Sequence, residues 1–136
     1  MLDFLDTNLI IRHLTRDNPE QSERSRKIFK RLEEGSYKVV TSEATIIEAV
    51  QVLSSKKLYH LSRESIKTYL TAIIALPGLK LTHKKAFFRA LELFSLLSVD
   101  FVDALNIAHM ERLKTRTILS FDKDFDHIKG IQRKEP

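Results

Sequence analysis

The sequence predicts an α/β fold with a parallel sheet and helices on both faces. Short apolar runs alternate with longer stretches of helical periodicity along the whole chain. Strands separated by helices pair in parallel, because each helix carries the chain back across the sheet. With only three glycines and three prolines, no linker, repeat or low-complexity tract divides the 136 residues, so one domain is expected.

Each element follows from a local signal. Residues 2–5 read as a buried strand, and Asp6 after them is a natural helix N-cap for residues 7–14. A second helix, 20–33, starts with Pro19 near its first turn and stops at Gly35. The run YKVVT (37–41) is a strand, followed by a helix from Glu43 to about Ser54. Ser62 caps a helix over 62–76 that ends before Pro77 and Gly78. LKLT (79–82) is a weak strand, and helices follow at 83–96 and 101–114. RTILS (116–120) is the fourth strand, then come a helical turn near 123–127 and an edge strand around 130–133.

Composition excludes several function classes. There is no cysteine, which rules out disulfides, zinc thiolate sites and thiol nucleophiles. Three glycines cannot build a Gly-rich phosphate loop, and no dinucleotide or P-loop pattern occurs. No apolar run is long enough to span a membrane and no signal peptide is evident, so a soluble, cytoplasmic protein with no membrane partner is expected. The net charge of +5 favours polyanions such as nucleic acid.

Acids stand in awkward places. In EATIIEAVQVL the polar residues Thr45, Glu48 and Gln51 recur every third position among aliphatics, and in DFVDALNIAHM so do Asp100, Asp103 and Asn106. Both patterns read as mostly buried helices with one narrow polar stripe. A carboxylate there is costly unless it is paired, hydrogen-bonded or bound to a metal. After the fourth strand, Asp122, Asp124 and Asp126 alternate. An EF-hand is excluded, because the positions needing glycine and glutamate hold His127 and Arg133. One inward acid and two solvated ones are expected instead. Residues just past parallel strand ends share one edge, so Asp6, Glu48, Asp103 and Asp122 converge if the first and fourth strands are neighbours. Crowded like charges need a proton or a cation, and oxygen-only donors select Mg²⁺ or Mn²⁺.

With these motifs in place, the chain resembles PIN-domain proteins, specifically the VapC-type toxin ribonucleases of prokaryotic toxin–antitoxin pairs. The match rests on FLDTNLIIR, SEATIIEAVQVL, DFVDALNIAH and ILSFDKDFD, in that order over nearly the whole chain. The resemblance implies a three-layer α/β/α fold with a five-stranded parallel sheet in the order 3-2-1-4-5. It implies an acidic quartet at Asp6, Glu48, Asp103 and Asp122, with Asn8 beside the first acid and Ser120 as the hydroxyl before the last. Asp100 is read as the N-cap of its helix. Metal-assisted hydrolysis of RNA is the implied activity, with Asp6, Asp103 and Asp122 as metal ligands and Glu48 acting on the attacking water. A cognate antitoxin and a homodimer are the implied partners.

Among the basic residues, Arg24 and Lys27 on the second helix are candidates for a phosphate-binding rim, and Arg12 for a closer phosphate contact. The helices at 62–76 and 83–96 carry more apolar residues than one sheet face easily buries, which is the sequence argument for a dimer. None of the five histidines is assigned a catalytic role. Two other readings share the fold: a PIN nuclease of RNA processing or DNA cleavage, and a non-catalytic nucleic-acid-binding module. A phospho-acceptor receiver domain is rejected, because LKLTHKK near the third strand offers no aspartate.

Overall fold

The computed structural model describes residues 1–136, and its elements follow the expected order. β1 (Asp3–Phe4) leads into α1 (Thr7–Leu14) and α2 (Pro19–Glu34), then β2 (Val39–Val40) into α3 (Glu43–Ser54) and α4 (Arg63–Ile74). β3 (Leu79–Lys80) precedes α5 (Lys84–Leu96) and α6 (Phe101–Leu113). β4 (Thr117–Leu119), a 3-10 turn (Lys123–His127) and β5 (Gln132–Lys134) close the chain.

Asp6, Ser62 and Asp100 cap their helices as the sequence suggested, and Asn18 and Ser42 do the same for α2 and α3. Asp6, Asn18, Ser42, Ser62 and Asp100 each accept a first-turn N–H with their side chains, which satisfies donors that have no intrahelical partner. Gly35 ends α2 in the left-handed conformation at φ 75°, which costs glycine little. Gly78 answers a different need. A Cβ there would meet the Tyr37 carbonyl and lie 2.9 Å from Leu32 Cα. The backbone passes so close because Gly78 N–H donates to Leu32 O and Gly78 O accepts from Val39 N–H.

All strand pairs are parallel. β1, β2 and β3 form one ladder in the order 3-2-1, with Asp3 opposite Val39 and Val39 opposite Leu79. β4 and β5 form a second, with Thr117 opposite Gln132. The fold class and neighbour order are as expected, but no ladder joins β1 to β4. With two and three residues, these strands offer few rungs to each other. Phe4 and Leu119 remain 60% and 66% exposed.

The core is one cluster of 29 buried residues, from Leu5 to Ile128. Helix packing is continuous: α1 packs on α2 and α3, α3 on α4 and α6, and α5 on both α4 and α6. Ile66, Leu70, Ile73 and Ile74 of α4 are buried, as are Phe87, Leu91, Leu93 and Phe94 of α5. α5 packs against both α4 and α6, so only Tyr69 and Leu96 stay well exposed among the large apolar side chains of α4 and α5. No helix is long and apolar enough to cross a membrane.

Arg63 at the start of α4 ties this packing to the turn before α6. Its Nη1 donates to the carbonyls of Phe94, Leu97 and Val99, at 3.0, 3.2 and 2.5 Å. The guanidinium also lies 4.3 Å from the centre of the Phe94 ring. A cation at the end of α5 suits its dipole and satisfies carbonyls that the helix leaves free. The chain is thereby held in place just before Asp100.

Candidate active site

The aspartates reach the site through turn chemistry. Asp100 caps α6, and its Oδ1 accepts the Asp103 N–H at 2.8 Å, as the N-cap reading required. That bond fixes the first turn of α6 and the backbone position of Asp103. Beyond β4, the Ser120 hydroxyl accepts the Asp122 N–H at 3.0 Å, and Asp122 Oδ1 accepts the Asp124 N–H at 2.9 Å. Ser120 therefore positions Asp122 through the backbone. Asp6 caps α1 and accepts the Asn8 N–H at 3.4 Å, leaving both residues exposed to solvent.

Asp103 is the electrostatic centre. Burial raises its carboxyl above the ordinary range, and the charges of Asp100, Asp122 and Asp124 raise it further. No cation offsets these carboxylates at Asp103. The first helix turn of α6 and the turn after β4 have thus been brought together, as expected for Asp103 and Asp122. Asp124 adds its charge to the cluster while staying exposed, as Asp122 does. Its alternation with Asp122 was the available signal. Asp126 departs from the cluster because Arg133 holds both its oxygens, at 2.8 and 3.2 Å.

The charges that raise Asp103 are those of Asp100, Asp122 and Asp124; Asp6 stands two residues past the end of β1, which has no ladder to β4. Glu48 also corrects the burial argument. It is exposed on α3, with neither a hydrogen bond nor an ion pair, while Thr45, Ile46, Ala49 and Val50 on either side are buried. Of the polar stripe, Thr45 is buried while Glu48 and Gln51 face solvent, so the stripe runs along the edge of the buried face.

In this geometry no three acidic or histidine side chains enclose a point that could hold one ion. The donor chemistry nevertheless fits a hard divalent cation. Asp103 and Asp122 are oxygen donors crowded by further carboxylates; no cation acts on Asp103, and the one arginine coupled to Asp122, Arg133, is held by Asp126. A cation of charge two is what such a cluster lacks. Beside it opens a cavity of about 520 Å³, lined by Asp100, Phe101 and Val102 of α6, by Ile47 and Gln51 of α3, and by Lys56 and His60.

The expected phosphate contacts divide. Arg12 is engaged within the fold, with Nε 2.9 Å from Gln21 Oε1 and Nη1 3.1 Å from Asp17 Oδ1. Asp17 in turn accepts from Tyr59 at 2.5 Å, so Arg12 ties α1 to α2 and to the loop after α3. Arg24 stands 4.0 Å from Glu20 in a loose, exposed pair, and Lys27 is exposed without a partner. No histidine enters the acidic cluster. His13 stacks on Phe29 at 4.2 Å, and His109 lies 3.0 Å from Glu43.

A family model described as the PIN domain matches residues 4–131, a span that includes Asp6, Glu48, Asp103 and Asp122. No curated protein matches the sequence.

Proposed function

This chain belongs to the PIN-domain family, a family of nucleases, and on that premise we propose that it is a divalent-metal-dependent endoribonuclease cleaving single-stranded RNA. The observation that supports this most is the crowding of Asp103 by the carboxylates of Asp100, Asp122 and Asp124. Asp103 and Asp122 hold Mg²⁺ or Mn²⁺, with Asp6 completing the set from the end of β1. When bound, such an ion neutralises phosphate charge and lowers the pKa of water. Glu48, free of any internal partner, orients or deprotonates the attacking water. Asp100 and Ser120 keep Asp103 and Asp122 in place through backbone hydrogen bonds. Lys27, Arg24 and Lys56 steer the strand toward the cavity beside the acids.

The biological role we propose is that of the toxin in a toxin–antitoxin pair. Its antitoxin lies in the apolar groove of about 550 Å³ between α1, α2 and α4, where Leu14, Phe29 and Ile73 are flanked by Arg26 and Lys30. A second copy of the chain associates through the exposed Leu96 and Val102.

Incubation with single-stranded RNA tests the activity. Fragments bearing 5′-phosphates should appear with Mg²⁺ or Mn²⁺ and vanish with excess EDTA. Equal cleavage in EDTA would overturn the metal-dependent reading.

A further inference from the structure

We infer that the molecule carries a second phosphate-binding pocket, remote from the acids, that takes a backbone phosphate of the RNA. It lies between the start of α5 and the end of α6, a cavity of about 460 Å³ with Ala86 and Ala108 buried at its floor. Small side chains there leave room for a ligand group between the helices. The walls carry Lys84, Lys85, Arg89 and Arg112 against a single acid, Glu111. Four cations and one carboxylate account for three of the chain's five net positive charges.

Internal partners occupy only part of this charge. Glu111 is held by Arg89, with Nε 2.9 Å from one of its oxygens, and Arg89 also reaches Glu92 at 2.8 Å. Lys84 turns inward to the Leu76 carbonyl at 3.2 Å. Lys85 and Arg112 are exposed and have no carboxylate partner. Arg112 is also oriented. Its Nε–H donates to His109 Nδ1 at 3.3 Å, and His109 Nε2 faces Glu43 at 3.0 Å. The Nη groups of Arg112 stay free in a pre-set guanidinium fork, the geometry that suits phosphate oxygens.

Arg112 lies nine residues beyond Asp103, about 13 Å along α6 and on its opposite side. One phosphate cannot touch both, so the pocket anchors a different part of the strand from the one being cut. This inference rests on the nuclease reading for its choice of ligand, since a free phosphate offers the same chemistry.

RNA binding measured by anisotropy in EDTA, where cleavage is absent, tests the pocket directly. The double variant Lys85→Ala/Arg112→Ala should bind roughly tenfold more weakly, with the slope of log Kd against log salt lowered by about one to two. Lys129→Ala/Lys134→Ala, which removes equal charge from the C-terminal edge, should change both much less. His109→Ala should reproduce part of the loss by freeing Arg112. Thermal melts confirm that each variant is folded. A wild type that cleaves RNA, beside a double variant with unchanged Kd and salt slope, would overturn the pocket alone. A wild type that neither binds nor cleaves RNA would overturn the nuclease reading itself. Saturable binding of inorganic phosphate, lost in the double variant while RNA affinity stays constant, would assign the pocket to a free anion and overturn the RNA contact.

Discussion

Replacing Arg63 by alanine should destabilise the protein and disturb the acidic cluster together. One guanidinium nitrogen serves three carbonyls, those of Phe94, Leu97 and Val99, at the turn that delivers Asp100 to its capping position. A single Nη has two hydrogens, so this amounts to about two charge-assisted bonds, each worth roughly 1–2 kcal/mol after solvent competition. Loss of the cation over the Phe94 ring adds about 0.5 kcal/mol. The whole is about 3 kcal/mol. For a chain of 136 residues the unfolding entropy is about 0.3 kcal/mol per degree, so the melting temperature should fall by about 10 °C. Arg63→Lys keeps the charge but loses the planar fork, and should fall roughly half as far. Circular-dichroism melts give the stability, and cleavage well below the new midpoint gives the activity. Activity should drop even where the variant is fully folded, because the turn no longer fixes Asp103. A melting temperature within a degree of wild type would refute the assignment of Arg63 as the clamp of this turn.

Other outcomes follow from the same geometry. Burial and the neighbouring aspartates raise the Asp103 carboxyl, so the folded state holds its proton more tightly than the unfolded chain. Its favourable contribution is complete at low pH and is lost as the pH rises through that raised value. In EDTA, Asp103→Asn should therefore melt at or above wild type near neutrality, with the gap closing toward pH 4. A marked loss of stability at pH 7 would make Asp103 a paired structural acid instead. Gly78→Ala forces a methyl against the Tyr37 carbonyl and the Leu32 backbone, and should cost about 2 kcal/mol by thermal or urea unfolding. Ser120→Ala removes the acceptor of the Asp122 N–H and should lose about 1 kcal/mol together with part of the cleavage rate. Unchanged cleavage would leave Ser120 no positioning role.

Helix positions were legible because their signals are local. Asp6, Ser62 and Asp100 cap where they stand in sequence, and Gly35 stops α2. What depends on partners was harder to read. The apolar excess of α4 and α5 pointed to a dimer surface, and most of it is buried within the chain, between these helices and against α6, which leaves Tyr69 and Leu96 exposed. Glu48 read as a buried acid because periodicity gives a stripe and not which way it faces. Arg12 was legible as a cation near Asp6, yet its partners Gln21 and Asp17 come from the next turn of chain and the start of α2. Asp122 does act on Asp103, but the strand-neighbour argument that gathered all four acids has no β1–β4 ladder behind it. Asp124 was not singled out, since an alternating DxDxD run does not tell which exposed acids lie close enough to Asp103 to act on it.

Mn²⁺ binding, followed by calorimetry on the wild type and on Asp6→Asn and Asp103→Asn, tests most directly whether the acids form one metal centre. Each lost carboxylate should weaken binding by tenfold or more, since each removes a donor and a charge from the same ion. Wild-type affinity in Asp6→Asn would contradict a shared centre and leave Asp6 with the capping of α1 alone.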